Sequence, residues 1–139
     1  MDLNDAVNWA MDTHHGVLIT IRKDGRPQSS DIAYAIIEGK FCISATIKRA
    51  KTINLLKDNR AVLHITSPET WSYVSFDGSA EITETAKVSG DNVCQELANV
   101  FTTIQKKDHP DCDEFNQAMI NDKRLVIRFV PTSAVGQIN

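Results

Sequence analysis

Residues 16–45 read GVLITIRKDGRPQSSDIAYAIIEGKFCISA, and this stretch decides the fold class. Its first part, Gly16–Ile21, is an apolar run rich in β-branched side chains, as strands are. Asp24-Gly25 is a two-residue hairpin signal, and Glu38-Gly39 turns the chain a second time. Two tight turns predict antiparallel neighbours, because parallel strands need a crossover of a dozen or more residues. The predicted strands are Gly16–Ile21, Gln28–Ile37 and Phe41–Ala45.

The rest of the chain adds three strands and four helices to this start. The strands are predicted at Ala61–Thr66, Trp71–Thr83 and Leu125–Val130, and the helices at 3–11, over about three turns from Lys48, at 85–105 and at 113–121. Residues 106–112 are predicted as a polar loop. Six short strands with late helices predict a mainly β domain of residues 1–139, folded as a small antiparallel barrel. A doubly wound fold would need regular βαβ units, and the two early hairpins argue against it.

Composition limits the classes of function. The chain has 139 residues, 42% hydrophobic and 24% charged, with a formal net charge of −3. A net acidic chain is not expected to bind nucleic acid, which needs a broad basic face. No apolar run is long enough to cross a membrane, and the acidic N-terminus does not resemble a signal peptide. Three widely spaced cysteines suit free thiols in the cytosol, so we predict a cytoplasmic protein.

A basic segment follows the strand that ends in Ser44-Ala45-Thr46. Residues 48–60 contain five cations and one acid, Asp58. Cations at a strand–helix junction suit a phosphate or carboxylate, because helix amides and side-chain donors can converge there. We expect Ile53 and Leu56 to pack on the barrel, and Lys51 and Asn54 to point the opposite way. The alternative on charge alone is a solvated helix face.

Small polar residues after the first hairpin form a second candidate. The stretch Pro27-Gln28-Ser29-Ser30 leaves the backbone open to a flat ligand, whose heteroatoms could bond the amides. The alternative is a strand with one wet face.

Trp71 and Tyr73 form a third candidate. Alternation along their strand places Val74 and Phe76 toward the core and these two aromatics on the other face. They therefore line a pocket, meet a partner subunit or have a purely structural role.

No motif identifies a catalytic residue. A P-loop, a Rossmann glycine pattern and a Gly-x-Ser-x-Gly elbow are all missing from the sequence. His14-His15 has no companion Cys or His at ligand spacing, so we predict no metal site.

Several short stretches of the sequence, taken in their order along the chain, resemble the flavin/deazaflavin oxidoreductases of the split β-barrel (pyridoxamine-phosphate-oxidase-like) superfamily. Within it, the chain is most similar to the actinobacterial proteins that bind coenzyme F420. The blocks are Gly16-Val17-Leu18, Asp24-Gly25-Arg26-Pro27-Gln28, Ser44 through Arg49-Ala50-Lys51, Asn54-Leu55, Trp71-Ser72-Tyr73 with Gly78, Gln117-Ala118-Met119 with Asp122, and Val135-Gly136.

The resemblance implies a six-stranded FMN-binding split barrel that forms a homodimer with two cofactor sites at the subunit interface. In these proteins the phosphate would be held by the start of the basic segment. The ring would lie beside the strand end and the first hairpin, and aromatics would reach it from the neighbouring subunit. By position, the phosphate residues are Arg49, Ala50, Lys51 and Asn54, the strand-end residues are Ser44, Ala45 and Thr46, the ring-bordering residues are Gln28 and Ser29, and the partner's residues are Trp71, Ser72 and Tyr73.

The function that the resemblance implies is reduction of a small organic acceptor by reduced F420. The deazaflavin carries the hydride chemistry, which agrees with a sequence that has no evident acid–base pair. Two alternatives stay open. One is an FMN-dependent, pyridoxamine-phosphate-oxidase-like oxidase, which the Lys- and Ile-rich composition leaves possible. The other is a non-catalytic F420 or flavin carrier.

Overall fold

A computed structural model describes residues 1–107 and 112–139 of the chain. The helices are α1 (Leu3–Trp9), α2 (Ala50–Lys57), α3 (Asn92–Gln105) and α4 (Cys112–Asn121). The strands are β1 (His15–Ile21), β2 (Pro27–Ala33), β3 (Ala35–Ile37), β4 (Lys40–Thr46), β5 (Arg60–Ser67), β6 (Ser72–Ile82) and β7 (Arg124–Gln137). Short 3-10 turns follow α1 and β5. No described helix is long and apolar enough to cross a membrane.

These strands belong to one antiparallel sheet, in the order β2-β1-β5-β6-β7-β4-β3. The strands β2 and β3 follow each other in the chain yet lie at opposite edges of the sheet. The sheet must therefore curl until its two edges approach each other. This half-barrel confirms the predicted mainly β, split-barrel fold class.

The predicted number of strands was wrong, because the described residues form seven and not six. The strand expected over Gln28–Ile37 divides at Tyr34, where the chain passes from one sheet edge to the other. Tyr34 is fully buried, its backbone N–H donates to His14 O at 2.9 Å, and its hydroxyl donates to Ala10 O at 2.7 Å. Periodicity gives no sign of this break, because the strand pattern continues through it.

The core lies inside the curl. A chain of aromatic contacts crosses it, with ring centroids 5.0 Å apart from Tyr34 to Phe41 and from Phe41 to Phe76. Ala6 of α1 packs against the same core. On the other face of β4 and β7, α3 and α4 cover a second cluster around Cys42 and Val126.

Several predicted boundaries were also wrong. The last strand continues beyond Val130 through a bulge. The β6–β7 register shifts between Asp77 and Gly78, so Thr132 of β7 is the extra residue, next to Pro131. Helix α3 begins only at Asn92, where the Asp91 carboxylate caps it by accepting from Cys94 N at 2.8 Å. Residues 108–111 of the predicted loop lie outside the described residues.

Helix α2 presents the opposite face to the one we expected. Ile53 and Leu56 are 43% and 59% exposed, whereas Thr52, Asn54 and Leu55 are buried. The reason is local, because Thr52 Oγ1 donates to Thr46 O at 2.9 Å and ties this side of the helix to the end of β4. A helix of eight residues is too short for periodicity to distinguish two faces of similar character.

Candidate functional site

The start of α2 offers free backbone donors. Arg49 is the N-cap residue with extended backbone, and its side chain makes no capping bond. The first N–H groups of a helix have no carbonyl partner within the helix, and the helix dipole adds positive potential at this end. The first turn contains no acidic residue. This helix start is therefore suited to an anion.

Arg124 brings a further positive charge to the start of α2. It begins β7, where it pairs with Thr46 in the β4–β7 register, and its Nη1 donates to Ser44 Oγ at 3.3 Å. Its Nε is buried and has no hydrogen-bond partner among the described residues, and the Asp122 Oδ2 oxygen lies 3.6 Å away. Arg124 thus adds a positive charge at the end of β4, beside the Asp122 carboxylate.

Lys51 lies near both Arg49 and Arg124. Burial lowers the pKa of Lys51, and the nearby charges of Arg49 and Arg124 lower it further. Like charges held together in a half-buried place disfavour one another, so a bound anion would relieve their repulsion. Arg49, Lys51 and Arg124, together with the amides at the start of α2, are called the anion cradle below.

A cleft of about 320 Å³ opens beside the anion cradle. Lys48 and Lys123 stand with Arg49 and Arg124 along it, and Asp122 is the one acid among its described lining residues. A hydrogen bond of 3.2 Å from Ile47 N to Lys123 O joins the turn before α2 to the turn before β7. Cations from two distant parts of the sequence are thereby held in one cleft.

The cradle includes only some of the predicted site residues. Arg49, Ala50 and Lys51 lie at the helix start, and Ser44 and Thr46 adjoin it on the outer side of β4. Ala45 is buried in the barrel core, on the opposite face of the strand. The sequence reasoning missed Arg124 and Lys123. Their proximity depends on the β4–β7 pairing, which joins residues about 80 positions apart, so no local signal could have identified them.

Asn54 lies on the inner side of α2 and not in the cleft. Its Nδ2 donates to Thr20 Oγ1 at 3.1 Å and to Gln28 Oε1 at 3.0 Å. Asn54 therefore fastens α2 to β1 and orients the Gln28 amide. Ser29 is exposed and pairs with Ile19, so it faces away from Gln28 across the strand.

Trp71, Ser72 and Tyr73 lie at the other end of β5. That strand contains eight residues, from Arg60, which follows α2, to Ser67, and spans about 23 Å. Trp71 is 85% exposed, Tyr73 is 43% exposed, and Ser72 is buried. Within one copy of the chain, this aromatic pair and the anion cradle are therefore apart.

Two groups with shifted pKa values away from the anion cradle have a structural role. Burial raises the pKa of Tyr34 to about 12 and that of the Cys42 thiol to about 11. Both groups are neutral near pH 7 and are packed in the core clusters. The chemistry available at the anion cradle is electrostatic binding, and any redox chemistry would come from a bound group.

Comparison with known proteins gives a family match. The family model described as pyridoxamine 5'-phosphate oxidase matches residues 7–134.

Solved structures agree on the fold. A conserved hypothetical protein of Mycobacterium tuberculosis has a TM-score of 0.76 and 25% identity, covering 98% of this chain and 84% of that one. An F420 reductase has a TM-score of 0.69 and 19% identity, with coverages of 92% and 94%. A Clostridium acetobutylicum protein related to general stress protein 26, of the pyridoxinephosphate oxidase family, has a TM-score of 0.66 and 14% identity, with coverages of 99% and 90%.

Proposed function

Because the chain belongs to the pyridoxamine 5'-phosphate oxidase family, an oxidoreductase-like family that binds flavins, we propose that it is an F420-dependent oxidoreductase. It uses reduced F420 to reduce a small organic acceptor in the cytoplasm. The observation that carries this proposal is the anion cradle, where Arg49, Lys51 and Arg124 meet the start of α2. A phosphate group of the cofactor would supply the missing negative charge.

One feature of the cleft favours F420 over FMN. FMN has one phosphate monoester, whereas F420 extends from its phosphate into a tail that carries further carboxylates. Lys48 and Lys123 line the cleft beyond the anion cradle and suit such additional charges. One structural relative is itself an F420 reductase, although at 19% identity this likeness concerns the fold. FMN is the alternative cofactor, since the anion cradle would hold its phosphate equally well.

The protein residues would bind and orient the cofactor. Arg49, Lys51 and Arg124 anchor its phosphate, and Gln28, held by Asn54, borders the ring. The deazaflavin supplies the hydride chemistry when it is bound. The protein need not provide a nucleophile or an acid–base pair for that step.

We also propose that the active form is a homodimer. The outer face of the sheet carries a half-exposed apolar row formed by Ile19, Ile21 and Val62. A second copy that covers this row would bury it and could bring Trp71 and Tyr73 to the other copy's anion cradle. Such a dimer would explain why the anion cradle and the aromatic pair, Trp71 and Tyr73, lie apart within a single copy.

A spectroscopic titration tests the cofactor assignment. The protein is titrated with F420 and with FMN, and changes in the visible absorption of each cofactor give the two dissociation constants. We expect saturable binding of F420, tighter than that of FMN. Clearly tighter FMN binding would reject the F420 proposal in favour of an FMN-dependent oxidase.

A turnover assay separates the enzyme from a carrier. Reduced F420 is mixed with the protein and a panel of enones and quinones, and its reoxidation is followed by absorbance. Oxidation faster than in buffer with at least one acceptor is expected of the enzyme. Tight F420 binding without such oxidation would favour the carrier.

A further inference from the structure

A cavity of about 320 Å³ lies where the β3–β4 hairpin meets α3, at the opposite end of β4 from the anion cradle. The hairpin contributes its turn and the start of β4, β7 contributes Arg128, and α3 contributes Glu96 and Asn99. Arg128 pairs with Cys42 in the β4–β7 register, so both side chains project from the sheet face that α3 covers. Residues from three parts of the fold therefore line this space, which is called the hairpin cavity below.

The positive charges of the hairpin cavity are neutralised by protein carboxylates. Arg128 donates through Nε and Nη2 to the two carboxylate oxygens of Glu96, at 2.7 and 2.6 Å. Lys40 Nζ donates to Glu81 Oε1 at 2.7 Å. Glu38 is the remaining charged residue of the described lining, and it has no ion pair among the described residues. The cavity therefore keeps one uncompensated negative charge.

Glu38 occupies a strained position of the turn. Glu38 and Gly39 are the two central residues of the β3–β4 hairpin, with φ of 53° and 76°. Such turns favour asparagine, aspartate or glycine at the first central position, because most other L-residues are disfavoured at positive φ. The sequence has glutamate there instead, which costs stability and places a carboxylate beside the cavity. Backbone strain of this kind is concentrated where proteins bind ligands.

The chemistry of the cavity indicates an organic cation. Among the described residues, no three His, Cys, Asp or Glu side chains are grouped as metal ligands. A single free carboxylate and the Asn99 amide oxygen suit an ammonium group, which donates up to three hydrogen bonds. Ile37 and the uncharged Cys42 thiol provide surface for a short carbon chain. The volume lies at the lower end of the range for small-molecule sites.

We propose that the hairpin cavity binds a small primary amine in its protonated form, with the ammonium group on Glu38 and Asn99 and the carbon chain against Ile37. The site is independent of the proposed function, since its lining shares no residue with the anion cradle or the cleft beside it. A neutral molecule of the same shape would leave the Glu38 charge uncompensated. The cavity therefore selects its ligand by charge as well as by size.

Nuclear magnetic resonance measures this binding on the full chain without any cofactor. The probe is n-butylamine, which is protonated at pH 7, and the backbone amide signals of Gly39 and Asn99 report on two sides of the cavity. We expect saturable shifts of both signals, and an affinity at least tenfold lower in Glu38→Asn. The neutral analogue of the same length, n-butanol, should cause no saturable shift.

The variants separate binding from folding. Asparagine suits the turn, so Glu38→Asn should melt at or above the wild-type temperature while it loses affinity. Glu38→Gln removes the charge at nearly constant volume and should lose affinity to the same extent. Glu69→Gln is the matched control, because Glu69 is an exposed acid in the 3-10 turn after β5 and its change should leave amine binding as it is. Lys51→Ala should likewise keep the amine affinity while it weakens cofactor binding.

Three results would overturn the proposal. Absence of saturable shifts at Gly39 and Asn99 would exclude the site, and so would an equal response to n-butanol. An amine affinity that is unchanged in both Glu38 variants would show that this carboxylate does not hold the ammonium group. Each of these results leaves the cofactor assignment as it stands, because the cofactor titration does not involve this cavity.

Discussion

At the scale of single residues, three side chains have clear and different tasks. Lys51 supplies charge to the anion cradle, Arg124 completes it from a distant strand, and Asn54 fastens α2 from the inner side. Lys51 and Asn54 were expected to act together at one anion. The structure separates them, because Asn54 bonds Thr20 and Gln28 whereas Lys51 lies near Arg49 and Arg124.

We expect Lys51→Ala to weaken cofactor binding by about 1.5–3 kcal/mol, the usual worth of a charged hydrogen bond. The measurement is the titration described above, with Lys57→Ala as the matched control. Lys57 is an exposed lysine at the opposite end of the same helix, and its loss should change affinity little. Equal effects of the two substitutions would mean that the phosphate binds elsewhere.

The same lysine makes binding depend on pH. The pKa of Lys51 in the free protein is lowered, and a bound anion raises it by favouring the charged form. Affinity should therefore fall as pH rises through the lowered pKa of Lys51, before ordinary lysines lose their protons. This fall should be absent in Lys51→Ala and persist in Lys57→Ala. A wild-type affinity that stays constant over that range would show that Lys51 does not contact the anion.

At the scale of elements, β6 shows how one glycine sets a strand pairing. Gly78 lies where the β6–β7 register shifts. A Cβ at this position would stand 2.2 Å from Val130 O and 2.8 Å from Phe129 Cζ. The close backbone approach at the bulge thus requires the absence of a side chain.

Gly78→Ala should lower the free energy of unfolding by roughly 2–3 kcal/mol, because the strands must separate or the Phe129 ring must move. Urea unfolding followed by circular dichroism gives this value. Gly25→Ala is the control, since a Cβ at the first hairpin has no described atom within 4 Å and only the φ of +88° opposes it. A smaller loss for Gly78 than for Gly25 would contradict the bulge argument.

At the scale of the whole molecule, the curl of the sheet determines which residues can meet. Within it, the pairing of β4 with β7 joins the end of β4 to the start of β7 at the anion cradle, and Trp71 lies at the far end of β5. A second copy related by twofold symmetry could bring these two regions together. The apolar row on the outer face is the surface that we assign to this contact.

Val62→Lys should shift the dimer toward monomer by at least tenfold in dissociation constant, because it places an unpaired charge in the proposed interface. Light scattering after size exclusion measures the mass. Val88→Lys is the matched control, since Val88 is 67% exposed just before α3 and does not belong to the apolar row. A wild-type protein that is monomeric at high concentration would reject the proposed dimer.

The sequence by itself determined the class of fold and the place of the basic segment. Hairpin turns and alternation are local properties, so they predicted antiparallel strands and the outward position of Tyr73. The continuity of the strand pattern through Tyr34 hid the passage between sheet edges, and two turns of helix could not show which side of α2 is buried. Those features depend on packing against other elements.

Only the tertiary structure decided the membership of the anion cradle and the contact between the rings of His64 and Tyr73. Arg124 reaches Ser44 across 80 positions because β4 pairs with β7, and His64 faces Tyr73 because β5 pairs with β6. The identity of each residue gives its charge and aromatic character. Strand register sets the distances between side chains. It therefore decides which charges repel one another and which rings are in contact.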